Sequence, residues 1–329
     1  MMKAVCVDHA KEGFPLSWAD VPDAECKSGE VLVDIHATAV NRADLLQRAG
    51  NYPVPSGAPP YMGLEMAGVV ADVGEDVTGW QVGDRVCALL SGGGYAEKVS
   101  VPQELLMHIP DDWSFEQAAA VPEVFYTAFV NLFMEGELQE GETVLIHGGA
   151  SGVGTAGIQM AHQAGCKVIV TAGREDKVAR CLALGADVAI NYKERDFAEA
   201  VREVAPDGVD VVLDISGGEY LERNVSLLKR KGRLVIIALL GGANAEINLG
   251  LMLRSRLRVI GSVLRSRSLE EKVAIKTGFE ARFWPLLIDG TIQTVIYTVL
   301  PIAQVADAHD ILTNNQNIGK VIMRVRDSI

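Results

Sequence analysis

The sequence predicts an α/β protein in two parts, one mainly β and one a doubly wound parallel sheet covered by helices. Three observations predict it. The chain has 329 residues, enough for two buried cores at about 150 residues per domain. Residues 1 to about 120 read as short strands separated by turn residues. From Thr143 onward, apolar strand runs alternate with helical stretches, each pair taking about 20 to 25 residues, as βα units do.

In the first part, strands are expected at residues 3–7, 30–36 and 84–89, punctuated by Gly29, Gly83 and the Gly92, Gly93, Gly94 run. Residues 51–68 are dense in Pro and Gly (Pro53, Pro55, Gly57, Pro59, Pro60, Gly63), which precludes a regular helix and predicts a structured loop. Long loops inside compact domains are often functional. In the second part, strands are expected at 143–147, 167–172, 187–191, 209–214 and 233–238. Their near-continuous apolar character predicts burial on both faces, the mark of a parallel sheet. A last strand at 257–264 is expected at the sheet edge. After Ser268 come a helical stretch, a strand at 295–300, a helix at 302–312 and a strand at 320–325. This tail lacks the βα rhythm, so it is expected to return to the first part.

Half of the residues are apolar and 22% are charged, with 43 acids against 30 Lys and Arg for a net charge of -13. That argues against disorder and against nucleic acid as a partner, since neutralising phosphates needs a basic face. The five cysteines (Cys6, Cys26, Cys87, Cys166, Cys181) are scattered without C-x-x-C spacing, which indicates neither a disulfide framework nor a structural zinc site. The N-terminal apolar run, Ala4 to Val7, is too short for a signal peptide. The most apolar stretch, 234–243, falls well short of the ~20 residues of a membrane span. A soluble, cytoplasmic protein is expected.

The strongest local signal follows the strand at 143–147, which runs directly into Gly148, Gly149, Ala150, Ser151, Gly152, Val153 and Gly154 and then a helical stretch at 155–164. A dinucleotide pyrophosphate needs backbone N–H donors at a helix N-terminus and small residues that let the main chain approach. This segment supplies both. With Gly149 as first glycine and Gly154 as last, Ser151 takes the middle place and Gly152 is an extra glycine, a departure from strict G-x-G-x-x-G. The next strand selects the dinucleotide. NAD sites carry an acid at its tip for the ribose 2′-hydroxyl, whereas here the strand ends Thr171, Ala172, Gly173, Arg174. Gly173 leaves room for a 2′-phosphate and Arg174 or Lys177 can pair with it, so NADP(H) is favoured. Glu175 and Asp176 stand close by.

Together with these, the segments Asn41-Arg42-Ala43-Asp44, Gly63-Leu64-Glu65-Met66-Ala67-Gly68, Gly92-Gly93-Gly94-Tyr95-Ala96-Glu97, Ala118-Ala119-Ala120-Val121-Pro122-Glu123, Asn191-Tyr192, Leu264-Arg265-Ser266-Arg267 and Asn317-Ile318-Gly319-Lys320 occur in the order of one family. The chain resembles the zinc-independent medium-chain dehydrogenase/reductases, most closely their NADPH:quinone oxidoreductase branch, over nearly its whole length. The resemblance implies a GroES-like, partly open β-barrel catalytic domain at 1–122 and 268–329. It also implies an inserted NADP(H)-binding Rossmann domain at 123–267 and an active site in the cleft between them. Zinc-dependent relatives carry Cys where this chain has Asn41, His where it has Leu64 and Cys where it has Glu123. Asn and Leu are not usual zinc ligands, and the lobe of four close cysteines is absent, so no metal is expected. His36, His108, His147 and His162 are not clustered.

Without a metal, charge developing on a hydride acceptor needs a hydroxyl, amide, backbone or water donor. Tyr52, on the Pro-rich loop, carries a phenol that donates at neutral pH and a ring that stacks on a flat substrate. Asn41 is expected to face the nicotinamide, and Ser151 to lie beneath the same pocket as well as in the phosphate turn. The resemblance further implies cofactor contacts at Thr127, at Ser151, Gly152, Val153 and Gly154, and at Gly173, Lys177 and Tyr192 around the 2′-phosphate. Main-chain contacts to the carboxamide are implied at Leu239, Leu240 and Gly241 and at Ser262, Val263 and Leu264, with a C-terminal contact at Asn317. Some relatives have Tyr where this chain has Leu46, which implies a different or wider pocket. The leading expectation is NADPH-dependent reduction of a quinone. The alternatives are reduction of an α,β-unsaturated carbonyl (an alkenal or enoyl reductase) and an NADP(H)-binding protein with a structural or regulatory role. The resemblance implies a homodimer, plausible through the edge strand at 257–264.

Overall fold

The computed structural model describes residues 1–326, in which fifteen strands are found. In chain order these are β1 (Met2–Val7), β2 (Leu16–Val21), β3 (Glu30–Val40), β4 (Glu65–Val73), β5 (Arg85–Leu89), β6 (Lys98–Pro102) and β7 (Leu106–His108). Then follow β8 (Thr143–Ile146), β9 (Lys167–Ala172), β10 (Val188–Asn191), β11 (Val209–Asp214), β12 (Leu228–Ile236) and β13 (Arg258–Gly261). The last two are β14 (Ile296–Pro301) and β15 (Lys320–Arg324). The chain divides into two compact units. The first holds Met1–Glu123, Arg265–Glu280 and the chain from Gln293 on, and the second holds Val124–Leu264 and Ala281–Ile292.

The first unit is built on one mixed sheet of order β14-β15-β3-β4-β5-β7, with β6 also paired to β3, beside the β1/β2 hairpin. Only β14 and β15 are parallel. The long β3 makes this possible: register shifts at Leu32/Val33 and Ile35/Ala37 bend it, so its first half pairs β6 and its last four residues pair β15. Alternate residues Val31, Val33 and Ile35 point into a core with Met66, Val70, Val86, Val99 and Val101. This is the partly open, GroES-like barrel.

β2, β4, β6 and β7 are not among the expected strands, and β4 shows why. Its Ala67 and Gly68 carry no β-propensity and close a Gly/Pro-rich stretch, so residues 65–68 read as the end of a loop. In the fold, a Cβ on Gly68 would lie 2.1 Å from the Asp34 carbonyl oxygen. The glycine marks a close strand crossing rather than a turn.

The second unit is a six-stranded parallel sheet of order β10-β9-β8-β11-β12-β13. The chain enters at the centre, winds outward to β10, returns to β11 and winds outward again to β13, which is the doubly wound Rossmann order with its switch point between β8 and β11. Val144, Leu145, Ile146, Val168, Ile169, Val211, Val212 and Leu213 are all inaccessible to solvent, as expected for strands covered on both faces. β12 begins five residues before the expected start, and β13 is shorter than the predicted 257–264 and sits at the edge.

The C-terminal tail does not return in one piece: Ala281–Ile292 belongs to the second unit. The reason is aromatic packing. Phe283 is buried with its ring centroid 5.0 Å from Phe133 and 6.0 Å from Phe129, and the Arg282 guanidinium lies 4.3 Å over Phe133. Among the described residues, no helix is long and apolar enough to cross a membrane.

Candidate active site

The glycine turn follows β8 at the switch point of the second unit. Ser151 caps the helix Gly152–Gln163, its Oγ accepting from the Gly154 N–H at 3.0 Å. Gly148 is left-handed at φ 68°. A Cβ on Gly154 would stand 2.3 Å from the Gly148 carbonyl oxygen, and one on Gly149 would stand 2.8 Å from Val170 Cβ. The two glycines assigned to the ends of the motif are thus required by contact between turn, helix and β9. Gly152 and Val153 occupy the first helical positions, where N–H groups have no intrahelical acceptor and point along the positive end of the helix dipole. This cradle fits a pyrophosphate.

At the tip of β9, a Cβ on Gly173 would meet Tyr192 Oη at 2.7 Å, so the phenol occupies the space that the missing side chain leaves. Arg174 forks onto Asp176, Nε to Oδ1 at 3.0 Å and Nη2 to Oδ2 at 2.9 Å, while Glu175 accepts from Asn191 Nδ2 at 2.8 Å. Both nearby acids therefore have partners of their own. Lys177 is only 4% exposed, and burial followed by the Arg174 charge lowers its pKa to about 8. A dianionic phosphate matches that environment.

Other expected cofactor residues in this unit are placed as follows. The Leu240 and Gly241 N–H groups donate to the carbonyls of Ile215 and Ser216, leaving the exposed Leu239 and Leu240 side chains to face solvent. The Ser262 N–H donates to the Ile236 carbonyl, Val263 is exposed and Leu264 is buried. The Thr127 carbonyl accepts from Asn131 Nδ2 at 2.7 Å.

In the first unit, Asn41 precedes the helix Arg42–Arg48, with its N–H donating to Asp44 Oδ2 at 2.8 Å. Its side chain is held from both ends: Nδ2 donates to Glu65 Oε1 at 2.9 Å, and Lys320 Nζ donates to Asn41 Oδ1 at 2.6 Å and to Glu65 Oε1 at 2.7 Å. Glu65 Oε2 accepts from the Glu123 N–H at 2.8 Å. Glu65 and Lys320 are both buried. Burial, followed by the Glu65 charge, raises Glu123 to about 8, and burial raises Asp44 to about 6. Tyr52 lies with the Arg265 guanidinium 5.1 Å from its ring centroid. Burial and then Glu123 push the Tyr52 phenol up to about 12, so it stays protonated and able to donate at neutral pH. Leu64 is 1% exposed and apolar, so of Asn41, Leu64 and Glu123 only the last is a usual zinc ligand. Among the described residues, no three His, Cys, Asp or Glu side chains converge as a metal site. Asn317 donates from Nδ2 to the Gly319 carbonyl at 2.7 Å, within its own loop.

Comparison with known proteins adds the family. Residues 27–111 match the alcohol dehydrogenase GroES-like domain, and residues 152–277 match the zinc-binding dehydrogenase domain. Quinone oxidoreductase of Mus musculus is 32% identical over 306 residues, covering 90% of this chain and 89% of the relative. The chain belongs to the zinc-independent medium-chain dehydrogenase/reductases, in their quinone oxidoreductase branch. It is an oxidoreductase. The crystal structure of Escherichia coli quinone oxidoreductase complexed with NADPH superposes with a TM-score of 0.86 at 29% identity, covering 98% of this chain and 100% of that one. CurK enoyl reductase superposes with a TM-score of 0.86 at 26% identity, covering 98% and 99%.

Within this family frame, the structure brings Gly173 and Tyr192 together at the β9 tip, and gathers Ser151, Gly152, Val153 and Gly154 in one turn. It brings Asn41 to Glu65 and Lys320, residues that sequence reasoning carried as motif letters without a role. Their signal was present: a lone Glu and a lone Lys, each bordering an apolar strand, are charges with no reason to be buried unless they meet. Nothing in the sequence spacing says that Glu65 and Lys320, so far apart along the chain, do meet.

Proposed function

We propose that the chain is an NADPH-dependent quinone oxidoreductase that passes hydride to a quinone without a metal. The observations that carry this reading are the buried Lys177 just past the tip of β9 and, in the first unit, a donor set, Tyr52 and Asn41, that contains no metal ligand. NADP(H), when bound, supplies the hydride. The Gly152 and Val153 N–H groups, with Gly154 and Ser151, hold its pyrophosphate. Lys177 pairs with the 2′-phosphate beside Gly173 and Tyr192, with Arg174 at the rim. Thr127, the loop of Leu239, Leu240 and Gly241, the segment of Ser262, Val263 and Leu264, and Asn317 are the proposed contacts around the nicotinamide half. Tyr52 donates its phenolic proton as a hydrogen bond to the acceptor oxygen as charge develops there. Asn41 spends one Nδ2 hydrogen on Glu65 and keeps the other for cofactor or substrate, and the Lys320 bond to Oδ1 fixes its orientation. The proton that completes reduction comes from solvent or Tyr52.

A second reading, reduction of α,β-unsaturated carbonyls, is supported by the likeness to CurK enoyl reductase, because polarising a conjugated carbonyl needs the same donors. Steady-state NADPH oxidation against a panel of quinones and a panel of enones tests the choice. Turnover of quinones supports the first reading, and turnover of enones alone rejects it. In the same proposal, the protein is cytoplasmic and forms a homodimer through β13, which pairs with β12 on one side only among the described residues.

A further inference from the structure

A cavity of about 680 Å³ lies wholly within the first unit, walled in part by the Pro-rich loop at 55–61, by Ser91–Gly93 and by Arg265, Arg267 and Lys272. Asn41 and Tyr52 are not among its lining residues. Two cations in this wall are buried: Arg265 is 5% exposed and Lys272 is 6% exposed. Both converge on Ser91, with Arg265 Nε donating to its carbonyl oxygen at 2.8 Å and Lys272 Nζ donating to its Oγ at 2.7 Å. Arg265 Nη1 and Nη2 are buried and have no hydrogen-bond partner among the described residues. The Nη2 atom stands 3.6 Å from where a Cβ on Gly92 would be, a point that the Pro59 carbonyl oxygen approaches to 2.6 Å and the Tyr61 carbonyl oxygen to 3.0 Å.

A guanidinium buried with two idle nitrogens is costly, because desolvated charge is normally paired and hydrogen-bonded. Among the described residues, no carboxylate forms an ion pair with Arg265 or Lys272. Glu123 and Asp44 act on Arg265 only at a distance, and Glu123 is held largely neutral at pH 7. Of the three acids elsewhere in the wall, Asp23 pairs with the N-terminal amine and Glu30 accepts from Ser100, and the third is Glu25. Ser91 provides only neutral oxygens. Two positive charges thus share one serine, with Glu123 acting on both and Glu271 on Lys272 without an ion pair to either cation among the described residues.

We propose that Arg265 and Lys272, with Ser91 between them, form an anion subsite that receives a carboxylate, sulfonate or phosphate group carried by the electron acceptor. This rests on the proposed reductase reading and extends it from a flat conjugated acceptor to an acidic one. The planar guanidinium gives a forked pair of donors for two oxygens of the anion, and the ammonium adds a point charge. Tyr52 lies against the same guanidinium, which links the subsite to the proposed hydrogen-bond donor.

The test compares 1,2-naphthoquinone-4-sulfonate with 1,2-naphthoquinone in NADPH oxidation, for the wild type and for Arg265→Met, Arg265→Lys and Lys272→Met. The readout is the ratio of kcat/KM for the sulfonate to that for the neutral quinone, relative to wild type, which cancels the difference in intrinsic reactivity. Loss of a charge-assisted contact predicts a fall in that ratio of about 10- to 100-fold in Arg265→Met and about 10-fold in Lys272→Met, with partial rescue in Arg265→Lys. Calorimetric binding of 2-naphthalenesulfonate against 2-naphthol, without cofactor or turnover, reads the same site independently. Wild-type protein is expected to bind the sulfonate at least about tenfold more tightly. Equal binding of the two by wild type, or equal losses for both quinones in the variants, overturns the subsite. If neither quinone is reduced but the sulfonate preference in binding holds and is lost in Lys272→Met, the reductase reading falls and the anion subsite stands.

Discussion

Replacing Lys177 by Met keeps the apolar stem and removes the charge at the tip of β9. Lys177 lies 4% exposed, four residues after Gly173, and Arg174 is already forked onto Asp176. The lysine is the charge proposed to meet a 2′-phosphate. A hydrogen bond to a charged group contributes about 1.5 to 3 kcal/mol, which at about 1.4 kcal/mol per tenfold is a loss of roughly 12- to 140-fold in NADPH affinity. NADH, with no phosphate there, is expected to change by less than about twofold. Fluorescence titration of both coenzymes measures this. Wild-type affinity for NADPH is also expected to weaken as pH rises through about 8, where the lysine of the unliganded protein loses its proton, and the variant should show no such slope. The stability of the free protein moves the other way. The folded pKa lies below the ordinary 10.5, so the unfolded chain binds more protons between about pH 8 and 10.5. The cost of the buried charge is fully present below pH 8 and is relieved as pH rises, so Lys177→Met should melt at a higher temperature than wild type at pH 7. Equal affinity losses for NADPH and NADH, or none for NADPH, would refute the placement of the phosphate.

Three other perturbations test the rest of the site. Tyr52→Phe keeps the ring against Arg265 and removes the donor; kcat is expected to fall about 100-fold with little change in KM, and an unchanged kcat shows that the phenol does not donate to the acceptor. Lys320→Met leaves Glu65 and Asn41 without the buried ammonium and is expected to cost about 3 to 5 kcal/mol in chemical denaturation, with part recovered in the double variant Lys320→Met/Glu65→Gln; a loss below about 1 kcal/mol removes the network from the account of Asn41. Gly154→Ala puts a methyl 2.3 Å from the Gly148 carbonyl oxygen and should reduce NADPH binding more than tenfold, while Gly261→Ala, with nothing within 4 Å, serves as the neutral control. Comparable binding by the two alanine variants would show that the turn tolerates the displacement.

The sequence by itself determined the second unit nearly completely, because each of its signals is local. A buried parallel strand is a continuous apolar run, and the glycine turn is a few consecutive residues, so β8, β9 and β11 fall where the apolar runs place them. The proposed 2′-phosphate residues at the tip of β9 are equally local, since Gly173, Arg174 and Lys177 lie within five positions. The first unit was less legible. Its strands are held by long-range antiparallel pairing, and β4 is built from small residues that suit a close crossing with β3 and look like loop in isolation. Only the tertiary structure decided that Glu65 and Lys320 grip Asn41, that Phe283 carries residues 281–292 into the second unit, and that Arg265 and Lys272 meet at Ser91. A buried charge is stable only beside its partner, and sequence separation carries no information about which distant strand end or loop provides that partner.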